Sequence, residues 1–458
     1  MAGRGTTRTW IAALGLALLA GPAGAEEAPS VHRDAMLRHW NDPPFNARTA
    51  PTPPPSPAPR GISSTRVFGY LPYWSDDYLP LRWDVLTDVA WFALSLGTDG
   101  RIESEHGWGE EGSFAFVEHA RAQGVRSHLT AALFGGSELE DLFASPTAPG
   151  TAIASILDAA EQVGVDGVNV DFEGLPSGNR DDFVDFVVEF RAETLARGME
   201  LSLAMPAVDW GGAFDYDVLA ENTDGLFIMG YGYHWSDGDP GPVAPRDGGG
   251  IWGAYSLSWT IADYLEWGGE WNRGKIVLGL PLYGYDWPSA SHAVPGDATG
   301  TGTAVTYAAT GAGAPGDLWD ATTSTPYRLY DDGGARQLWY DDATSVLAKA
   351  ELVPEHSLGG VGFWALGYDG NDPALWDPLA ALLEEPKEDD EEPGDDDSAS
   401  EEAEGPVPRG DALVPAGGED PPPSPRGPDP PAPGPAPAGD TPPRRAGGRR
   451  PPRPPDRR

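Results

Sequence analysis

The run Asp166-Gly-Val-Asn169-Val-Asp171-Phe-Glu173 decides how the rest of the chain is read. From Gly167 it has the composition of a short β-strand, and side chains on a strand alternate between faces. Asn169, Asp171 and Glu173 therefore share one face, and Val168, Val170 and Phe172 share the other. Buried polar groups are costly unless they are paired or used. Three along one face, ending in an acid at the strand's C-terminal end, point to a working site. Two neighbouring carboxylates resist ionising together, so one pKa rises. Asp171 can thus hold Glu173 protonated near neutral pH, which makes Glu173 a candidate general acid for a leaving-group oxygen. The competing reading is a buried hydrogen-bond network or a cation site.

Working outward, seven more β-rich runs flank this one: Arg66–Trp74, Asp88–Ser95, Arg126–Phe134, Leu201–Pro206, Gly225–Tyr231, Lys275–Pro281 and Gly360–Leu366. Helical patterns separate several of them, most clearly at Phe114–Gln123, Thr151–Val163, Asp181–Ala196, Ser256–Trp267 and Asp342–Glu351. Gly124, Gly164 and Gly198 follow three of these as C-terminal caps. Strands alternating with helices over this length predict an α/β fold of the TIM (β/α)8 barrel type. In a barrel the polar face of the central run is interior, and Glu173 stands at the C-terminal mouth where barrel active sites are found. An open doubly wound sheet is the alternative, but no G-x-G-x-x-G follows the first strand, which removes its dinucleotide-binding version. Ser289 to Leu338 is too long for one βα loop and rich in Gly, Thr and Asp. It is read as a small inserted substructure after strand seven, of β character, at the barrel rim.

These residues resemble glycoside hydrolase family 18, which includes chitinases and endo-β-N-acetylglucosaminidases. Asp166-x-x-Asn169-x-Asp171-x-Glu173 is similar to the family's D-x-x-D-x-D-x-E, with Asn169 in place of the middle Asp. The form D-G-V-N-x-D-F-E is nearest the branch of bacterial spore-cortex and cell-wall glycosylases. The family's M-x-Y-D on strand six appears as Met229-Gly-Tyr231-Gly232, with the Asp replaced by Gly; its S-x-G-G on strand three appears as Leu133-Phe-Gly-Gly136, without the Ser. Phe68-Gly-Tyr70-Leu-Pro-Tyr-Trp74 is similar to the family's first strand. The resemblance covers Thr65 to Leu383.

The resemblance implies substrate-assisted retaining hydrolysis of β-linked N-acetylhexosamine glycans of peptidoglycan or chitin type. In that scheme Glu173 protonates the glycosidic oxygen and later activates water, Asp171 orients and charge-stabilises the acetamido group, and Tyr231 donates to the acetamido oxygen. Asn169 hydrogen-bonds Asp171, and Trp364 carries the apolar face of the sugar. Met229, Tyr70 and Tyr233 complete the expected substrate-binding set. Because both Asp171 and Glu173 are kept, an enzyme is favoured over a catalytically silent, lectin-like barrel, which is the alternative left by the changes at Asn169 and Gly232.

Composition sets the outer limits. Residues 1–25 read as a signal peptide: Arg4 and Arg8, an apolar run from Trp10 to Ala20, and the cleavage pattern Ala23-Gly-Ala25. That run falls short of the ~20 residues a membrane span needs. Residues 26–64 read as a Pro-rich linker, with a possible short helix over Val31–Trp40, and 384–458 as a disordered acidic then Pro-rich tail. The barrel is expected over 65–383. The protein is therefore expected outside the cytoplasm, periplasmic or extracellular. The 458-residue chain has no Cys, which removes thiol chemistry and Cys-based metal sites, and its formal net charge of −41 argues against nucleic acid as a partner. No histidine spacing suggests a metal and no P-loop is present, so no cofactor is expected. The partner expected is a polysaccharide or glycan, met by a monomer with no membrane span once the signal is removed.

Overall fold

The computed structural model describes residues 30–45, 65–75 and 77–383. The expected signal peptide, most of the Pro-rich stretch and the acidic tail lie outside these residues.

Eight parallel strands form a closed barrel. In chain order they are Arg66–Pro72, Asp88–Leu96, Arg126–Phe134, Gly167–Glu173, Glu200–Pro206, Gly225–Met229, Ile276–Pro281 and Gly360–Trp364. Each pairs with the next, and the first pairs with both the second and the eighth, which closes the ring. A ninth strand, Ile102–Ser104, pairs antiparallel with the second at the rim. All eight barrel strands stand where the β-rich runs placed them.

The helices Glu111–Ala122, Ala148–Val163, Arg180–Arg197, Leu257–Gly268 and Ala343–Ala350 also lie where their periodicity put them. Gly164 and Gly198 cap two of them in the left-handed conformation, at φ 87° and 70°, where a Cβ would be strained. Asp342 opens the last with a reciprocal capping box to Ser345. The sequence reading passed over Gly136–Ala144, Tyr216–Glu221, Leu352–His356 and Pro373–Leu383. Two of these run for only 6 and 5 residues, too short for a 3.6-residue repeat to declare itself.

The insertion after strand seven is a five-stranded antiparallel sheet. It starts earlier than expected, at Tyr283. Tyr283–Pro288 leaves the barrel and becomes the strand on which Thr303–Thr306 and Ala335–Trp339 pair.

Two apolar clusters divide the work of burial. The larger lies between strands and helices, where Phe172 packs on Phe183 and Phe186 at ring distances of 6.2 and 5.5 Å. The smaller holds Phe68, Tyr70, Phe92, Phe227 and Trp364 inside the barrel. The bottom of the barrel is closed by charge. Asp88 on strand two is fully buried and takes hydrogen bonds from Arg66, Arg126 and His128.

One described helix comes from the stretch read as linker. α1, Val31–Arg38, is where a short helix was allowed, but it is not peripheral: His32, Ala35 and Met36 are buried, and the last two belong to the barrel's interior cluster. Phe45 further along is buried against Trp91, with ring centroids 4.6 Å apart. Proline content hid this, because residues 30–45 hold only Pro43 and Pro44 while the later prolines lie beyond them.

Candidate active site

Strand four sets the site. It pairs with strand three so that Ala132 faces Asp171 and Phe134 faces Glu173. Small Ala132 leaves the interior space that the Asp171 carboxylate needs. Gly135 and Gly136, directly after strand three, let the next loop touch the turn after Glu173. Gly135 donates its N–H to the Glu173 carbonyl at 2.9 Å. A Cβ on Gly136 would come within 3.1 Å of the Gly174 carbonyl oxygen, so the paired glycines pin the turn after Glu173 by close backbone approach.

Asn169, Asp171 and Glu173 share the interior face as the alternation requires. Asn169 and Asp171 are wholly buried, while Glu173 opens toward the mouth. The expected hydrogen bond from Asn169 to Asp171 is replaced by two others. Asn169 Oδ1 accepts from the Tyr70 hydroxyl at 3.0 Å, and its Nδ2 donates to Ser202 Oγ at 3.0 Å. Both amide atoms are thereby committed one layer below Asp171 and Glu173, so Asn169 and Tyr70 support the floor and are covered from above. Met229 and Tyr233 line the open cavity, and the Tyr233 hydroxyl is bonded to Thr260 at 2.6 Å.

Asp171, Glu173, Tyr231 and Trp364 converge on one small space, and α1 fills it. His32 Nδ1 is 2.8 Å from Asp171 Oδ2, and His32 Nε2 is 2.8 Å from the Tyr231 hydroxyl. The imidazole lies over Trp364 with ring centroids 3.9 Å apart. Ser30, the N-cap of α1, donates to Glu173 Oε1 at 2.6 Å. Sequence reasoning missed Ser30 and His32, because nothing local says where a helix 139 residues away from Asp171 will dock.

Burial governs the ionisation here. It lowers His32 from 6.5 to about 4, against an opposing pull from Glu173. It raises Asp171 from 3.8 to about 8. Both shifts favour uncharged partners, an acid donating its proton to Nδ1 of a neutral imidazole. The raised carboxyl of the expected pair is thus Asp171. Burial, then the neighbouring Tyr70, Tyr283, Asp171 and Glu173, push Tyr231 well above its usual value, which keeps it a neutral hydroxyl whose oxygen accepts from His32 Nε2–H while Nδ1 accepts from Asp171.

Beside this filled floor an open cavity of about 450 Å³ remains. Its walls include Trp210, Trp252, Tyr255 and Tyr285. Trp210 and Tyr255 are exposed and meet edge to face at 4.6 Å. Flat aromatic faces beside a polar floor suit a ligand with apolar faces and hydroxyl edges.

Ligand atoms of His32, Asp171 and Glu173 lie within 4.8 Å of one another, as do those of Asp88, His128 and Glu200. In the first group both imidazole nitrogens are taken by hydrogen bonds. In the second, the guanidinium groups of Arg66 and Arg126 already supply the positive charge.

The chain matches the profile of Glycosyl hydrolases family 18 over residues 66–369, and it belongs to that family. Among its relatives, the putative sporulation-specific glycosylase YdhD of Bacillus subtilis is 28% identical over 55% of this chain and 58% of its own. The cortical fragment-lytic enzyme of the same organism is 30% identical over 46% of this chain and 49% of its own. The chain thus spans about half the length of these two. Human di-N-acetylchitobiase is 27% identical over 66% of this chain and 80% of its own. Among solved structures, the Cycas revoluta family 18 chitinase in complex with (GlcNAc)3 superimposes with a TM-score of 0.61 at 22% identity, over 70% of this chain and all of that one. The Bacillus cereus spore cortex-lytic enzyme SleL does so with 0.56 at 21%, over 70% and 74%. These two likenesses carry the barrel fold.

Proposed function

We propose that this protein is an exported glycosidase that cleaves β-linked N-acetylhexosamine glycans, of peptidoglycan or chitin type, by substrate-assisted retention. The observation that carries the proposal is the convergence of Asp171, Glu173, Tyr231 and Trp364 on one space at the C-terminal mouth of the barrel.

Each step follows from what these groups can do. Trp364 holds the apolar face of the sugar. Glu173 gives its proton to the glycosidic oxygen as the bond to C1 breaks. The carbonyl oxygen of the sugar's own acetamido group closes on C1, forming an oxazolinium ion. Asp171, ionised once α1 no longer buries it, accepts the acetamido N–H and balances the new positive charge, and Tyr231 donates to the acetamido oxygen. The Glu173 carboxylate then takes a proton from water as that water opens the ring. This route needs no second carboxylate as nucleophile, and strand four supplies none besides Asp171. The relatives named for glycan lysis, and the chitinase solved with (GlcNAc)3, support an N-acetylhexosamine substrate.

The test is release of reducing ends from peptidoglycan, chitin oligosaccharides and N-glycans by the full chain, with and without His32→Ala. Glu173→Gln is the control. Loss of release in the control supports the proposal, and release that survives Glu173→Gln contradicts it.

A further inference from the structure

The geometry points to α1 as an intramolecular plug that occupies the sugar-binding floor of the active site and must leave before a glycan can be cleaved. This inference rests on the site assignment above, since a plug needs a site to block.

His32 and the N-cap Ser30 engage the four groups that converge on the floor. Ser30 holds Glu173, and His32 holds Asp171 and Tyr231. The same imidazole covers Trp364, with its plane tilted 33° to the indole. A ring lying over that indole and bridging Asp171 to Tyr231 stands where the sugar and its acetamido group would stand. No glycan can reach the floor while His32 is there.

The helix is built to dock. Its apolar face, Ala35 and Met36, enters the barrel's interior cluster beside His32. Ser30 caps it by accepting the N–H of Arg33 at 2.8 Å, and the same hydroxyl donates to Glu173. After the helix, His39 stacks on Trp74 at 4.8 Å, and its carbonyl accepts from the Tyr73 hydroxyl at 2.7 Å. The chain between residues 31 and 45 is thus held at both ends.

The fit is nonetheless incomplete. Asp171 Oδ1, Trp364 Nε1 and the Tyr283 hydroxyl are buried with no hydrogen-bond partner among the described residues. The hydroxyls and acetamido group of a sugar can offer these atoms the partners that α1 does not. The aromatic cleft next to α1 also stays open. A long glycan can therefore bind its outer sugars there and compete for the floor. A tethered competitor acts through effective concentration, and the glycan's apparent affinity falls by the fraction of chains left open.

The experiment measures binding of (GlcNAc)3 by calorimetry, and hydrolysis of chitin oligosaccharides, using full chains. The variants are His32→Ala, which removes the imidazole, and Ala35→Glu, which undocks the helix without touching a group of the site. Each is also combined with Glu173→Gln, and folding is checked by thermal melts. The expected result is (GlcNAc)3 binding at least ten-fold tighter than wild type in either variant, with faster hydrolysis that Glu173→Gln removes. Binding no tighter in either folded variant overturns the plug, and the glycosidase stands if Glu173→Gln still abolishes hydrolysis. Tighter binding with hydrolysis indifferent to Glu173→Gln keeps the plug and overturns the glycosidase. No binding by any chain overturns both.

Discussion

His32 lies against Trp364 with ring centroids 3.9 Å apart, so a residue from the N-terminal helix covers the indole at the end of the eighth barrel strand. That contact ties the state of the active site to the ionisation of the groups around the imidazole. Those groups are Asp171 and Glu173 on strand four, Tyr70 on strand one and Tyr231 just after strand six.

The docked helix should loosen as pH rises above neutrality. Asp171 is raised by burial from 3.8 to about 8, so its proton stabilises the docked state at low pH, and this contribution is lost as pH climbs toward and through 8. His32 is lowered from 6.5 to about 4, so it works the other way, weakening docking as pH falls from 6.5 to 4. Above 6.5 the His32 slope is spent, and only the Asp171 slope remains. Tyr70 and Tyr231 are held well above their usual values and do not titrate in this window. Hydrogen exchange of the Val31–Arg38 amides, corrected for intrinsic rate, should therefore show less protection near pH 8.5 than near pH 5.5. Equal or greater protection at the higher pH contradicts the pairing.

Asn169→Ala should weaken the floor from below. It strands the Tyr70 hydroxyl and leaves Ser202 Oγ with only a 3.5 Å bond to the Val168 carbonyl; each loses a 3.0 Å partner inside the barrel. Leaving buried polar groups unpaired costs about 1–3 kcal/mol. The melting temperature should fall, and Ser202→Ala, which strands only the Asn169 Nδ2 donor, should lower it less. A melt of Asn169→Ala that matches wild type would show that these bonds do not hold the floor.

Gly232→Asp restores the residue usual at that place in the family, yet it should bring no gain. Gly232 sits at φ 79°, a conformation that costs an L-residue roughly 1–2 kcal/mol. A Cβ there meets no atom within 4 Å, so the variant should still fold. The expected outcome is a slightly lower melting temperature with hydrolysis unchanged or reduced. A several-fold rise in hydrolysis would show that the missing carboxylate limits the site.

Asp88→Asn should be the most damaging change outside the site. Burial opposes the charge on Asp88, but hydrogen bonds and charge from His128 and Arg66 overcome it and hold the carboxyl well below its usual range. Its folded pKa is depressed, so its contribution is present above 3.8 and lost as pH falls through the lower folded value. Removing one partner of a buried ion pair costs about 3–5 kcal/mol. Urea unfolding near neutral pH should show that loss, and it should shrink in acid. A loss that is the same at both pH values would separate Asp88 from the acid sensitivity of the fold.

Much of the fold was legible because barrel strands are short, apolar and bounded by glycines, and eight of them alternate with periodic helices. Glu173 and Asp171 were legible because a two-residue repeat fixes which side chains share a face. Tyr231 and Trp364 came through resemblance to the family's strands six and eight. The roles of Asn169 and Tyr70 were not legible, since a side chain's partner across a barrel depends on register, which a single strand does not encode. Ser30 and His32 were hidden more deeply. An eight-residue amphipathic helix beside a Pro-rich stretch has the same appearance whether it floats or docks, and its docking is decided by a pocket assembled from distant strands.

Reducing-end release from chitin oligosaccharides and peptidoglycan by full-length His32→Ala, compared with the same chain carrying Glu173→Gln, decides whether α1 covers a glycosidase site. Release is expected from the first and a drop of about 10²–10⁴-fold in the second, the usual contribution of a positioned general acid. Equal release by both, or none by a folded His32→Ala chain that binds (GlcNAc)3, would contradict that assignment.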